Sequence, residues 1–598
     1  MTKKRANGKS SPHSPSSGSW RLWLVVAILG VATFGLWLKF RPSSHPATSD
    51  TFTPRPRGQL TFAKDISPIV FRHCSACHRP GQTAPFSLLN YQDVKKHAAD
   101  IAIVTARRYM PPWLPDSAHG EFLGDRRLSA DQIGVIQQWI SEGTAEGQPS
   151  DLAPLATWSG EWQLGTPDLI LTMPQPYLLP AEGRDVYRNF VIPAAISSRR
   201  HVRAVEFHPG NPKVVHHAFI KVDRTSDSRR RDAKDPEPGF SGMSSVAEVP
   251  GGHFLGWQPG RQPSLLPEGL AWNLEPGNDL VVLMHLNPRG SVEQVQASVG
   301  LFFTDKVPTN TCFKIRLTSY ALEIPANARD YTVQDSYVLP VDVQLLAVLP
   351  HAHYLCKEMW GWAISSEGTT NQLLHIPQWD FNWQGDYRYA KPVSLKKGTT
   401  LAMRYTYDNS TNNIRNPNVP PKAVTYGLQS SDEMAELWFQ VLARGDAELS
   451  RLDRDYENKI ARAFLDHDEF LLRKDPSDPD AHEDIGMSLM GQGRWAEAEQ
   501  HFRKAIEVRP GFAKAHYDLG IVLRRLNRLA EARTELESAL RLNPDDFKAH
   551  GNLGFIALQE GDPSAARSHF ETALRLNPGD DMARAGLGDV TNALRRNK

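Results

Sequence analysis

Residues 349–355 read LPHAHYL, two histidines separated by one alanine inside an apolar run. On a β-strand, His351 and His353 leave the same face, where both imidazoles can reach one metal ion. A strand is the natural reading of this stretch. From about residue 160 to 445 the chain consists of short alternating runs such as YRNFVIP, HVRAVEFH, DLVVLMHL, SVGLFFT and TLAMRYTY. Turn signals (HPGNP, EPGND, KKGTT, YDNS) separate them. Many short strands at this spacing predict β-sandwich domains.

Four more positions carry similar chemistry: His216 and His217 in VVHHAFI, His285 in VLMHLNP, and Met434 in SSDEMAELW. Adjacent His216 and His217 face opposite sides of a regular strand, so they share an ion only where the strand bends or ends. Met359 and Met403 also lie near the histidine motifs and rival Met434 as a sulfur donor. Any one of these histidines alone is more often a hydrogen-bonded core residue. As a set they form an all-imidazole group and a mixed imidazole and thioether group. A thioether is a soft ligand that favours Cu(I) and is rare around zinc. Copper redox chemistry is therefore expected rather than zinc hydrolysis, and no H-E-x-x-H helix supplies a hydrolytic base.

These motifs resemble the successive copper motifs of the ascorbate-dependent type II copper monooxygenases, the peptidylglycine α-hydroxylating and dopamine β-monooxygenase family, over roughly residues 165 to 445. The resemblance implies two jelly-roll β-sandwiches, 160–310 and 311–445. It implies an electron-transfer copper on His216, His217 and His285, and a catalytic copper on His351, His353 and Met434. Met434 is favoured over Met403 because the family's methionine follows an acidic residue after a Ser-rich turn. Peptide-amidating members carry arginine, asparagine and tyrosine where this chain has Leu349, Glu436 and Trp438. A peptidylglycine substrate is therefore not expected. Leu349 and Trp438 are expected to line a more apolar pocket for a different small-molecule or peptide-like substrate.

Upstream, Cys74-Ser-Ala-Cys77-His78 is the c-type haem attachment pattern, with two thiols for the vinyl groups and an imidazole for the iron. Met110, in RRYMPPW, is the expected distal ligand, with His73, His97 and His119 as rivals. The stretch 129–143 reads as an amphipathic helix, and 59–148 as a small α-helical cytochrome c domain. Haem c would relay electrons to the copper sites in place of, or beside, an external reductant.

The N-terminus has a basic tail (1–20), then an apolar run (21–39) just long enough to cross a bilayer, then a proline-rich linker (40–58). Basic residues before the run predict a cytoplasmic N-terminus and a single-pass anchor, with a cleaved signal peptide as the competitor. With the haem motif, this places the functional domains in a bacterial periplasm at the inner membrane. Among the four cysteines, Cys312 and Cys356 are left over, as one disulfide or as two buried thiols. The balance of 68 basic and 67 acidic residues leaves no nucleic-acid footprint.

At the C-terminus (476–598) Pro476, Pro510, Pro544 and Pro578 stand 34 residues apart, as do Gly486, Gly520, Gly554 and Gly588. This period resembles tetratricopeptide repeats, an α-helical solenoid expected to bind a partner protein. His482, His516 and His550 recur in phase but lie a whole repeat apart, so they do not suggest one ion site. Residues 446–475 read as a helical connector. The expected whole is a membrane-tethered copper monooxygenase. Its rival is a non-enzymatic haem and copper electron-transfer or copper-handling scaffold.

Overall fold

The structure is a computed structural model that describes residues 51–596, apart from 81, 83, 117, 156–161, 243–245 and 260. The basic tail, the apolar run 21–39 and linker residues 40–50 lie outside the described residues. Among the described residues no helix is long and apolar enough to cross a membrane.

The haem-motif segment is helical. Helices Ser67–His73, Tyr91–Lys96, Ala98–Ala106 and Ala130–Ser141 pack around Phe62, Ile66, Val70, Ile136 and Trp139. Helix Ala130–Ser141 starts at a capping box, in which Ser129 and Gln132 satisfy each other's backbone N–H groups.

Two antiparallel sandwiches follow. In the first, a five-stranded sheet runs Phe240–Ser241, Val186–Pro193, Asp279–Leu286, Val215–Asp223, Gly256–Trp257. It packs on a four-stranded sheet of Leu169–Thr172, Ser298–Thr304, Arg200–His208 and Trp272–Leu274. In the second, one sheet orders Cys312–Thr318, Glu436–Ala443, Val343–His351, Tyr387–Leu395. Its mate orders Tyr331–Val338, Thr400–Tyr407, Cys356–Ile364, Thr370–Ile376. Met359 and Met403 are both buried in the core between these sheets. Cys312 and Cys356 are separate buried thiols, so the disulfide does not form. Cys312 packs with Leu270 and Leu346 on one side of its sheet, whereas Cys356 belongs to the sandwich core on the other.

A contact that the sequence did not announce joins the haem-motif segment to the second sandwich. Phe122 enters the sandwich core beside Tyr387 and Tyr389. Backbone hydrogen bonds Leu123 N to Arg388 O (2.8 Å), Ala390 N to Glu121 O (2.7 Å) and Asp116 N to His375 O (2.9 Å) fix its register.

The chain then runs into the 30-residue helix Gly445–Lys474. That helix buries Leu452 against the second sandwich, and Tyr337 Oη donates to Asp455 at 2.8 Å. Three helix pairs and a final helix, Asp581–Arg596, complete the array. Gly486 and Gly554 lie under Phe502 and Phe570, where an added Cβ would come within 2.7 Å of the ring, which is why the period carries glycine there. His482, His516 and His550 each turn to a partner on the second helix of their own repeat (His501, Glu535, His569).

Candidate metal centres

A β-bulge resolves the problem of the adjacent histidines. The Val215–Asp223 strand slips register against Asp279–Leu286 between Val215 and His217. The extra residue bends the strand and turns both rings the same way. His216 Nδ1 and His217 Nδ1 lie 3.0 Å apart. One nitrogen from each of His216, His217 and His285 falls within 4.8 Å of the others. The backing of this trio comes from Asp185, whose Oδ2 is 2.9 Å from His285 Nε2. Asp185 also accepts from Asn287 Nδ2 and from Ser430 Oγ, both at 2.7 Å. With Nε2 so engaged, His285 Nδ1 is buried with no hydrogen-bond partner. Three imidazoles this close could hold a metal ion, with a carboxylate behind His285 fixing its tautomer.

The strand expected to carry both histidines ends at His351, and His353 lies just beyond it, with the ring centroids 5.3 Å apart and nearly perpendicular. His351 Nδ1 is 2.6 Å from Gln384 Oε1, and His353 Nδ1 is 3.1 Å from the Asp432 carbonyl. Each Nδ1 is thus held by a protein oxygen, which leaves each Nε2 for a metal. Met434 is buried, and Glu433 ties it to the histidine pair. The fully buried Glu433 carboxyl accepts the backbone N–H of Met434 (2.9 Å) and Leu355 (2.8 Å) and also that of His353. Two ligand-bearing segments 80 residues apart are therefore tied to one side chain. Glu433 is the acidic residue that precedes Met434 in SSDEM, whereas nothing in the residue order marks Asp185 or Gln384 for these roles.

Phe381 stands between the two groups. Its ring stacks on His216 at 4.4 Å between centroids and meets His353 edge-on at 5.4 Å. Next to it, Trp379 Nε1 donates to the His353 carbonyl at 3.0 Å. Burial, reinforced by neighbouring imidazoles, pushes His216 and His353 down to about 3 and His217 well below its ordinary value. Neutral imidazoles of this kind bind a cation without first shedding a proton.

A model of the copper type II ascorbate-dependent monooxygenase C-terminal domain matches residues 326–442. A tetratricopeptide repeat model matches four times between 469 and 597. The chain carries both modules. No curated protein matches it. Solved structures similar to part of it include the first TPR of Spaghetti (RPAP3) bound to HSP90 peptide SRMEEVD. That likeness has 22% identity, 20% of this chain, 93% of that one and a TM-score of 0.19. MamA protein (20% identity, 24% and 77%, TM-score 0.22) and the APC/C hetero-tetramer Cut9-Hcn1 (21%, 23% and 28%, TM-score 0.21) are similar to a like extent.

The expected apolar pocket needs correction. Trp438 lies under the Arg316 guanidinium at 4.9 Å and the Lys314 ammonium at 5.6 Å. Arg316 Nη1 donates to Glu436 at 3.0 Å, and Trp438 Nε1 donates to the same carboxylate at 3.1 Å. Cations absent from position 349 enter from the neighbouring Cys312–Thr318 strand, which sequence spacing could not place.

In the C-x-x-C-H motif, His78 Nδ1 lies 3.2 Å from the Phe86 carbonyl, so Nε2 is the nitrogen that a metal could take. Cys74 and Cys77 are partly buried on the same turn, and burial pushes the Cys74 thiol up to about 12. Met110 is half-buried in the loop after Ala98–Ala106. His97 stacks on Phe86 at 3.8 Å, and His73 faces the Arg126 carbonyl at 3.2 Å. His119 turns away to a second group, Asp116, His119 and His375. There His375 uses both ring nitrogens on carboxylates, Nδ1 on Asp116 and Nε2 on Glu358 at 3.0 Å, so the group is an ion-pair latch between the segment and the second sandwich.

Proposed function

We propose that this chain is a copper-dependent monooxygenase that hydroxylates a C–H bond of its substrate with O2. The observation that carries the reading is the pairing of two unlike donor sets across one buried ring, Phe381. In this reading His216, His217 and His285 hold one copper ion, and His351, His353 and Met434 hold the other. Copper, when bound, supplies one-electron redox steps and a place for O2. The protein supplies the rest. Asp185 orients His285, Gln384 and the Asp432 carbonyl orient the second pair, and Phe381 with Trp379 keeps water from the ligand rings. The thioether of Met434 is what favours the reduced metal.

Cys74, Cys77, His78 and Met110 would hold a haem c, which would supply electrons in place of, or beside, an external reductant. Two contacts support the haem route. Tyr109, beside Met110, meets Trp383 edge-on at 5.8 Å, and Trp383 precedes the Gln384 that holds His351. Residues 21–39 anchor the chain in a bacterial inner membrane with the other domains in the periplasm, and the repeats dock a partner protein.

The test is substrate-dependent oxygen consumption by copper-loaded protein, with electron paramagnetic resonance to count cupric sites. Met434→Ala abolishes consumption and one cupric signal while sparing the other. Two intact copper sites that consume no oxygen with any donor and substrate tried would replace this reading with the electron-transfer scaffold.

A further inference from the structure

The two sandwiches present matching rows to one another. On the Val215–Asp223 strand, beyond the bulge, His217, Phe219 and Lys221 alternate onto one face, and the His217 and Phe219 rings touch at 5.2 Å. On the facing sheet, His351 pairs with Glu436, Leu349 with Trp438, Trp438 with Arg316, and Gln440 with Lys314. Directly paired residues share a face, so this surface also runs from a ligand imidazole, past the Arg316–Glu436 ion pair and the Trp438 ring, to an ammonium. The far end is closed where Gln440 Nε2 donates to the Gly252 carbonyl at 3.0 Å. Gly252 (φ +70°) is pressed there so closely that an added Cβ would lie 2.2 Å from the Cys312 carbonyl oxygen.

At that end the charges do not balance. Arg316 is matched by Glu436 and Arg261 by Asp386. Lys314 and Lys221 form no ion pair or hydrogen bond among the described residues; Lys314 has the Trp438 face and, at longer range, the Glu248 carboxylate. Burial, then Arg316 and Lys221, push the Lys314 ammonium down to about 8, with Glu248 alone opposing. Burial likewise lowers Lys221. Nearby Arg388 keeps Nε and Nη1 buried without a partner. Partly desolvating cations that form no ion pair is costly, and an incoming anion would offset that cost.

We propose that Lys314 and Lys221, at the seam between the facing sheets, receive an oxyanion, a carboxylate or phosphate, of a substrate that lies along the row past Trp438 and Phe219 toward the ligand imidazoles. The inference rests on the oxygenase reading for what happens at the imidazole end. Four residue steps along the strand take Glu436 to Gln440, about 13 Å at the usual rise. Lys314 folds back over Trp438, so the anionic group and the reacting carbon stand on the order of 10 Å apart, the reach of an arylalkyl acid.

Calorimetric titration of full-length, copper-loaded, reduced protein under anaerobic conditions tests this with three probes of like shape: 3-phenylpropionate, phenethyl phosphate and 3-phenylpropanol. At least one anion should bind ten times more tightly than the alcohol. Lys314→Gln with Lys221→Gln should erase that preference and leave the alcohol unchanged. Whichever anion is favoured identifies the headgroup. Lys314→Met should leave the thermal midpoint unchanged or raised, because it removes a half-buried charge that forms no ion pair; a lysine kept for structure would lower it. Equal binding of anions and alcohol, or an anion preference that survives the double substitution, would overturn the proposal. Protein that prefers the anion in this way yet consumes no oxygen would end the oxygenase reading and leave the anion site standing.

Discussion

Replacing Glu433 by alanine should be among the most damaging single changes outside the ligands. Its carboxyl is fully buried and accepts backbone N–H groups from His353, Leu355 and Met434. Burial pushes it up to about 8, against those same donors and Cys356, which favour the carboxylate. Truncation strands three N–H groups in a dry interior. Each unsatisfied donor costs about 1–3 kcal/mol, and because the three are neighbours their costs do not simply add. A loss of about 3–5 kcal/mol is expected. Two of the three donors belong to His353 and Met434, so copper at that site should be lost with the stability, while the three-histidine site remains. Glu433→Gln, which keeps one acceptor oxygen but turns an amide toward the donors, should fall between. Urea unfolding of copper-free protein measures the first effect, and titration against a copper chelator the second. An alanine variant within about 1 kcal/mol of wild type that still binds two equivalents of copper would refute the argument.

Asp185→Asn should weaken copper at the three-histidine site about 10–100-fold, the usual cost of losing a carboxylate behind a ligand imidazole; chelator competition on the half-loaded protein reads this out. The Asp116–His375 latch should make docking of the haem-motif segment pH-dependent. Burial opposes charge on His375, but Asp116 and Glu358 hold it above the ordinary imidazole value. Its contribution is therefore complete below that ordinary value and is lost as pH rises through the raised one. Asp116, held low by His375 and His119 in spite of burial, gives up its share only as pH falls through its lowered value. Asp116→Asn should destabilise by about 1–2 kcal/mol near pH 6 and by less near pH 9, seen in denaturant midpoints; a difference that grows with pH would contradict this.

Residue order settles those features that repeat over short distances. The 34-residue phase fixes Gly486 beneath Phe502 and Gly554 beneath Phe570, because one repeat touches only its neighbours. Short spacing brings His351 and His353 together, although the strand ends at His351 and strand alternation does not extend to His353. Donor chemistry, a sulfur among imidazoles, is likewise written in residue type.

Tertiary structure decided what depends on pairing between distant segments. The bulge that lets His216 and His217 turn the same way exists only against the Asp279–Leu286 strand. Asp185 and Ser430 meet across 245 residues, and Phe381 reaches His216 from the other sandwich. Arg316 and Lys314 reach Trp438 because their strand happens to lie beside it in the sheet order. Local pattern dictates which way a side chain points; only the closed sheets dictate what it meets, because strand neighbours are chosen by the packing of the whole core rather than by any stretch of it.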